Sequence, residues 1–195
     1  MHKAIRATCL WAVVALALSA CIPDSINPLG DPAKAEADPK LSGKWTGMMN
    51  GEPATLTVTP KEGAALELRV ETEGGEGKTD WVLLDAFPAQ IGKQHYVNIK
   101  FREEEGKVYD QTAENYYICR YLLGDDGSLK IWTMAEQPVV DVIADGRLNG
   151  SVEPDKDNRT IHITDSSTGL QAIVEESDPA TLFGNAYATF SRAKD

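Results

Sequence analysis

The chain is poor in the residues that most often carry chemistry. It has three histidines and three cysteines, so a site built on imidazole or thiolate has few members to draw on. No Gly-x-Ser-x-Gly run marks a nucleophile elbow, and no glycine-rich phosphate loop precedes a helix. A basic excess is missing too. Nineteen Lys and Arg against 30 Asp and Glu leave a formal charge of −11, which repels phosphate backbones and excludes a nucleic-acid partner. Long apolar runs are also absent. Residues 10–18 form the longest, about half of the roughly 20 residues that a spanning helix needs.

That short run nevertheless has a telling setting. His2, Lys3 and Arg6 precede it, and the small residues Ser19 and Ala20 follow it, the order of a cleaved export signal. Leu18-Ser19-Ala20-Cys21 resembles the lipobox of bacterial lipoproteins. The resemblance implies that residues 1–20 are a signal peptide and that the Cys21 thiol takes a diacylglyceryl group. The bond before Cys21 is then cut, and the new amino terminus is acylated. Ile22, in place of the Asp linked in that family with retention, implies the outer membrane, facing the periplasm. The membrane is thus an expected partner, held through acyl chains. An ordinary export signal, with Cys21 next to the cut by chance, is the competing reading.

Processing sharpens the composition. Removing residues 1–20 takes away Lys3 and Arg6 and no acid, so 19 − 2 = 17 basic residues face 30 acidic ones, a charge of −13. Such acidity suits solubility and leaves membrane attachment to the lipid. Cys9 departs with the signal and Cys21 becomes a thioether. Cys119 then has no partner in its own chain, so no intramolecular disulfide is expected and the fold must rest on its apolar core. The stretch 41–195, about 155 residues, is long enough to bury one as a single domain.

Residues 21–40 read as the lipidated Cys followed by a flexible tether. Pro23, Pro28, Pro32 and Pro39 interrupt regular structure over 22–40, and the remainder lacks apolar periodicity. As a coil this segment would reach on the order of 25 Å. The alternative is an arm packed on the domain.

From Leu41 onward the pattern is mostly β. Ala54, Leu56 and Val58 alternate with threonines, Leu66, Leu68 and Val70 with charged residues, and His95, Val97, Ile99 and Phe101 with polar neighbours. Period-two alternation predicts strands with one buried and one wet face. Further strands are expected over residues 81–86, 116–123, 129–133, 160–164 and 186–192. Asn50-Gly51 is tight-hairpin chemistry. Gly74-Gly75-Glu76-Gly77 and Asp125-Asp126-Gly127-Ser128 fit further hairpin connections, and residues 103–106 open a charged loop. Pro138 and Gly146 bracket one short helix, and Thr168 with Gln171 fits a capping box for a second. Asp178-Pro179 starts another, ending before Gly184. The expected fold is mainly β, an antiparallel barrel or sandwich of about eight strands, with two or three short helices near the carboxyl-terminal end.

Leu41-Ser42-Gly43-Lys44-Trp45 resembles the Gly-x-Trp signature that opens the first strand of lipocalins and related small barrels. In that family the Trp closes the barrel floor against an Arg on the last strand, and Arg192 stands where that partner is expected. The resemblance implies a lipocalin-like barrel and carriage of a small apolar ligand. Both helical regions here precede the final strand, whereas the lipocalin helix follows it.

Candidate chemistry is sparse. His95 lies in the apolar-facing register of its strand and reads as a hydrogen-bonded core histidine; His162, between Ile161 and Ile163, points to the wet face. Together with Cys119 they lack metal-ligand spacing. Residues 153–158 look like a calcium loop, but Thr160 and Ser166 stand where Gly and Glu are required. Cys119 has Arg120 beside it on the opposite strand face, so it reads as a buried small hydrophobe. Tyr116, Tyr117, Tyr121, Trp81 and Trp132 fit either core packing or a pocket lining. No catalytic residue, metal or cofactor is assigned, and no ligand-binding residue is identified. The expected function is a monomeric, non-catalytic binding or scaffolding module with an envelope protein as partner. A carrier of a small apolar ligand is the alternative, and an envelope enzyme of unrecognised type comes third.

Overall fold

The computed structural model describes residues 22–74, 78–111, 115–155 and 158–194, the side chains at 155 and 158 excepted. Cys21 and residues 1–20 lie outside them, as do residues 75–77 of the predicted glycine turn and residues 156–157.

Apolar alternation produces strands β2 (Gly43–Met49), β3 (Glu52–Pro60), β4 (Leu66–Glu73), β5 (Thr79–Ile91) and β6 (Gln94–Glu104). A short β7 (Lys107–Val108) folds back on β6, and β8 (Tyr116–Leu123) and β9 (Ser128–Thr133) follow. β12 (Ala188–Arg192) ends the series. Each of these pairs antiparallel with its neighbour, and two contacts close the ring: β6 pairs with β8, and β12 bridges β9 to β2. The eight strands β2–β6, β8, β9 and β12 are therefore a closed antiparallel barrel, which decides against the sandwich.

Local chemistry sets the register. Asn50 and Gly51 both adopt positive φ, 50° and 84°, and this turn pairs Met49 with Glu52. At Gly47 the wall of β12 comes so close that a Cβ would meet the Thr189 carbonyl oxygen at 2.1 Å, so only glycine fits there. Inward positions are filled by large side chains, among them Trp45, Leu56, Leu84, Tyr121, Leu129 and Phe190, all buried.

The connection from β9 to β12 carries the helices: α1 (Glu136–Ala144), α2 (Ser167–Glu176) and α3 (Pro179–Leu182). Between α1 and α2 lies a hairpin of β10 (Gly150–Asp155) and β11 (Asn158–Ile163). These elements pack on the outside of the barrel wall. Val139, Leu170, Ile173 and Phe183 meet the outward Tyr96 and Ile118 in a second apolar core. The α2 cap is Ser166, whose hydroxyl accepts from the Gly169 amide, in place of the capping box expected from Thr168. Asp178 caps α3 as its sequence suggests.

The amino-terminal segment departs from the tether reading. Asp24–Ser25 form β1, antiparallel to β8 and parallel to β11. Leu29 is wholly buried in the second core. Asn98, also fully buried on the outer face of β6, clamps it on both sides. Its Oδ1 accepts from the Leu29 amide at 2.7 Å, and its Nδ2 donates to the Leu29 carbonyl at 3.1 Å. Composition misled here because prolines prevent helices and long ladders but allow a two-residue strand and an anchored coil. Asn98→Leu strands both backbone groups of Leu29 in an apolar core and is expected to cost about 2–4 kcal/mol. A urea midpoint checks this, and the arm should become sensitive to limited proteolysis over residues 30–40.

Candidate functional site

The barrel end carrying Trp45 is shut from below. Trp45 is 1% exposed, and its indole donates to the Leu41 carbonyl at 2.8 Å. The Arg192 guanidinium lies 4.4 Å from the centre of the indole ring, opposite Trp45 in the β12–β2 register. Arg192 also donates to the Ser42 and Lys40 carbonyls, joining the last strand to the approach of the first. This is the Trp–Arg closure expected from the sequence.

Outside this floor lies a groove of about 790 Å³. One wall is the arm from Gly30 to Lys40, with a one-turn 3-10 helix at Pro32–Lys34. The other is the β5–β6 turn around Gly92 with His95, Tyr121 and Leu122. The Tyr121 hydroxyl donates to Asp38 at 3.2 Å, so the barrel itself holds the arm in place. Burial, followed by the Asp38 charge, raises the Tyr121 pKa, which keeps the phenol a hydrogen-bond donor. Leu122 is 44% exposed, giving the groove an apolar patch beside the charged arm. Its size matches ordinary small-ligand pockets. His95 is only half-buried here, with its ring against Tyr121 at 5.5 Å, and its side chain makes no hydrogen bond to the described residues. It is a groove residue and not the hydrogen-bonded core histidine that its register suggested, because the strand begins at the barrel rim.

A second polar cluster lies where β1 enters the sheet. Asp24, His162 and Tyr117 are cross-strand neighbours and share one face. His162 Nδ1 is 2.7 Å from Asp24 Oδ1, and its side chain is 36% exposed against 9% for Asp24. His162 is thus paired, whereas the sequence put it simply on the wet face; its partner is a residue assigned to the tether. Burial holds the Asp24 carboxyl above the ordinary range, opposed by the His162 hydrogen bond and charge. A raised carboxyl pKa favours the protonated fold. Its stabilisation is therefore complete below the unfolded value of about 3.9 and lost as pH rises through the folded one. Asp24→Asn removes that loss, so urea midpoints should show the variant gaining on the parent as pH rises from about 3 to 6. A shrinking difference would mean that the ion pair outweighs burial. Ser25 faces away and donates to the Asn27 carbonyl at 2.7 Å, whereas Ser151 on β10 lies opposite His162 in the antiparallel register and shares its face.

The remaining candidates separate. Cys119 lies inside the barrel, and burial pushes its thiol up to about 12, so it is the small hydrophobe expected. Arg120 points outward over Trp132 at 4.7 Å, as alternation requires. The aromatic set divides between faces: Tyr117 and Tyr121 point inward. Trp81 lies on the outer wall beneath Arg69, and Tyr116 meets Phe87 edge to face on the outside. Among the described residues no group of three His, Cys, Asp or Glu side chains could hold a metal ion, so His95, His162 and Cys119 do not converge. Residues 153–155 belong to the β10–β11 hairpin.

No protein-family profile matches the chain, and neither the curated proteins nor the solved structures contain a significant match.

Proposed function

We propose that this protein is a lipid-anchored lipoprotein of the cell envelope, at the periplasmic face of the outer membrane, and that it works as a non-catalytic binding module. The observation that carries the binding reading is where the space lies. The barrel interior is occupied by its own buried side chains, while the groove of about 790 Å³ sits outside the floor, between arm and barrel. A ligand or an envelope protein segment engages that groove. Mixed charge from Lys34, Glu36 and Asp38, beside exposed Leu122, suits an amphipathic occupant better than a purely apolar one. The burial and raised pKa of Cys119 support a role without catalysis.

The lipocalin-like reading keeps one specific support besides the Trp45–Arg192 closure. The Thr72 hydroxyl is buried at an inward position and has no hydrogen-bond partner among the described residues. A carrier would place a polar ligand end there. Native mass spectrometry of the whole Cys21→Ser chain separates the two readings. The binding module should fly as a bare polypeptide, because large buried side chains line its interior. A co-purified apolar molecule in stoichiometric amount would favour the carrier.

A further inference from the structure

Trp45 shuts one end of the barrel, and the register shows which side chains ring the other. β2 runs from Trp45, opposite Arg192, to Met49, opposite Glu52. At that far end Thr72 pairs with both Ala54 and Asp80, and Glu104 pairs with Val82. Directly opposed residues share a face, and Ala54 and Val82 belong to the barrel core. Glu52, Thr72, Asp80 and Glu104 therefore all face the barrel axis. Glu104 does so because the register shifts between Leu83 and Leu84, an irregularity that re-aims the end of β6. This end is open, since the inward Met49, Phe101 and Ile131 are only partly buried. Rings line it too: Phe101 lies 5.6 Å from Tyr109 and 5.3 Å from Tyr117, centre to centre.

The Thr72 hydroxyl marks the place. The residue is 5% exposed, and its oxygen has no hydrogen-bond partner among the described residues. A buried orphan of this kind costs free energy until a partner completes it. The carboxylates around it are crowded. The hydrogen bond and charge of Asp80, with the charge of Glu104, hold the Glu105 carboxyl above its usual range, and Lys78 opposes them. Lys107 stands over the Tyr109 ring, 4.8 Å from its centre, which shows the kind of group these rings hold. The acids are too scattered for a metal ion, as no three His, Cys, Asp or Glu side chains among the described residues could hold one. Glu52 on β3 and Asp80 on β5 are two strands apart, on the order of 10 Å. One small cation cannot meet both. A linear chain with an ammonium at each end can, and its methylenes suit Met49 and Phe101.

We propose that the open end of the barrel binds a linear alkyl polyamine. One ammonium is held by Asp80 and Glu104 and donates to the Thr72 hydroxyl, and another is held by Glu52. This site is separate from the groove and independent of the lipid anchor.

Calorimetric titration of spermidine into the full-length protein in detergent micelles tests this, with butylamine and magnesium chloride as comparisons. One saturable spermidine site is expected, with butylamine about tenfold weaker and magnesium giving no saturable heat. Thr72→Val and Asp80→Asn keep the shape of the parent, and each should weaken spermidine about tenfold by removing one hydrogen bond to a charged group. Glu52→Gln, at an exposed position, should weaken it several-fold. Glu175→Gln on α2 removes the same charge far from the ring and should leave the affinity unchanged. An equal loss from Glu175→Gln and Asp80→Asn, or magnesium binding as tightly as spermidine, would reduce the effect to net charge and overturn the site. Unchanged affinity in both Thr72→Val and Asp80→Asn would overturn it as well, as would the absence of saturable spermidine binding.

Discussion

Trp45→Ala is expected to destabilise the domain by about 3–5 kcal/mol, the range for removing a large aromatic side chain from a packed interior. The effect should lie at the upper end for three reasons. The indole is 1% exposed, so its whole apolar surface is lost from the core. Its N–H satisfies the Leu41 carbonyl, which would be left without that partner. The Arg192 guanidinium stacked on the ring would lose its platform while still bound to the Ser42 and Lys40 carbonyls. For a domain of this size each kcal/mol moves the melting temperature by about 2–4 °C, so a drop on the order of 10 °C is expected. Trp81→Ala is the control. That ring lies on the outer wall under Arg69, and its loss should cost clearly less. Equal costs for the two would mean that Trp45 is not the floor of the barrel.

The barrel was legible wherever one face is buried and the other wet. Residues 54–58, 66–70 and 95–101 alternate cleanly, and each became a strand at that position. The closure between first and last strands was legible through Trp45 and Arg192, whose pairing depends on two side chains of distinctive chemistry. What escaped were elements whose stability comes from distant partners. β1 is two residues long and proline-flanked; it exists because β8 and β11 supply its hydrogen bonds. Asn98 sits among polar residues on the outer face of β6 and gave no sign that it would be buried, since its burial depends on Leu29, 69 positions away. The groove was invisible for the same reason. Its arm wall lacks apolar periodicity, and it is held by Tyr121 through Asp38, a contact across 83 positions. The Asp24–His162 pair joins residues 138 apart, and no local pattern could reveal it.

Loss of the proposed lipid anchor at Cys21 is the largest single effect expected. Each buried CH₂ contributes roughly 0.8 kcal/mol, so a long acyl chain holds on the order of 10 kcal/mol and two or more make attachment effectively permanent. Cys21→Ser removes the thiol proposed to carry the diacylglyceryl group. The decisive measurement is intact-mass analysis of the mature protein together with membrane fractionation of parent and Cys21→Ser. The account predicts a chain beginning at Cys21 that carries acyl mass and sediments with outer-membrane vesicles, and a variant recovered in the soluble fraction. An unmodified amino terminus on a parent that is itself soluble would contradict it.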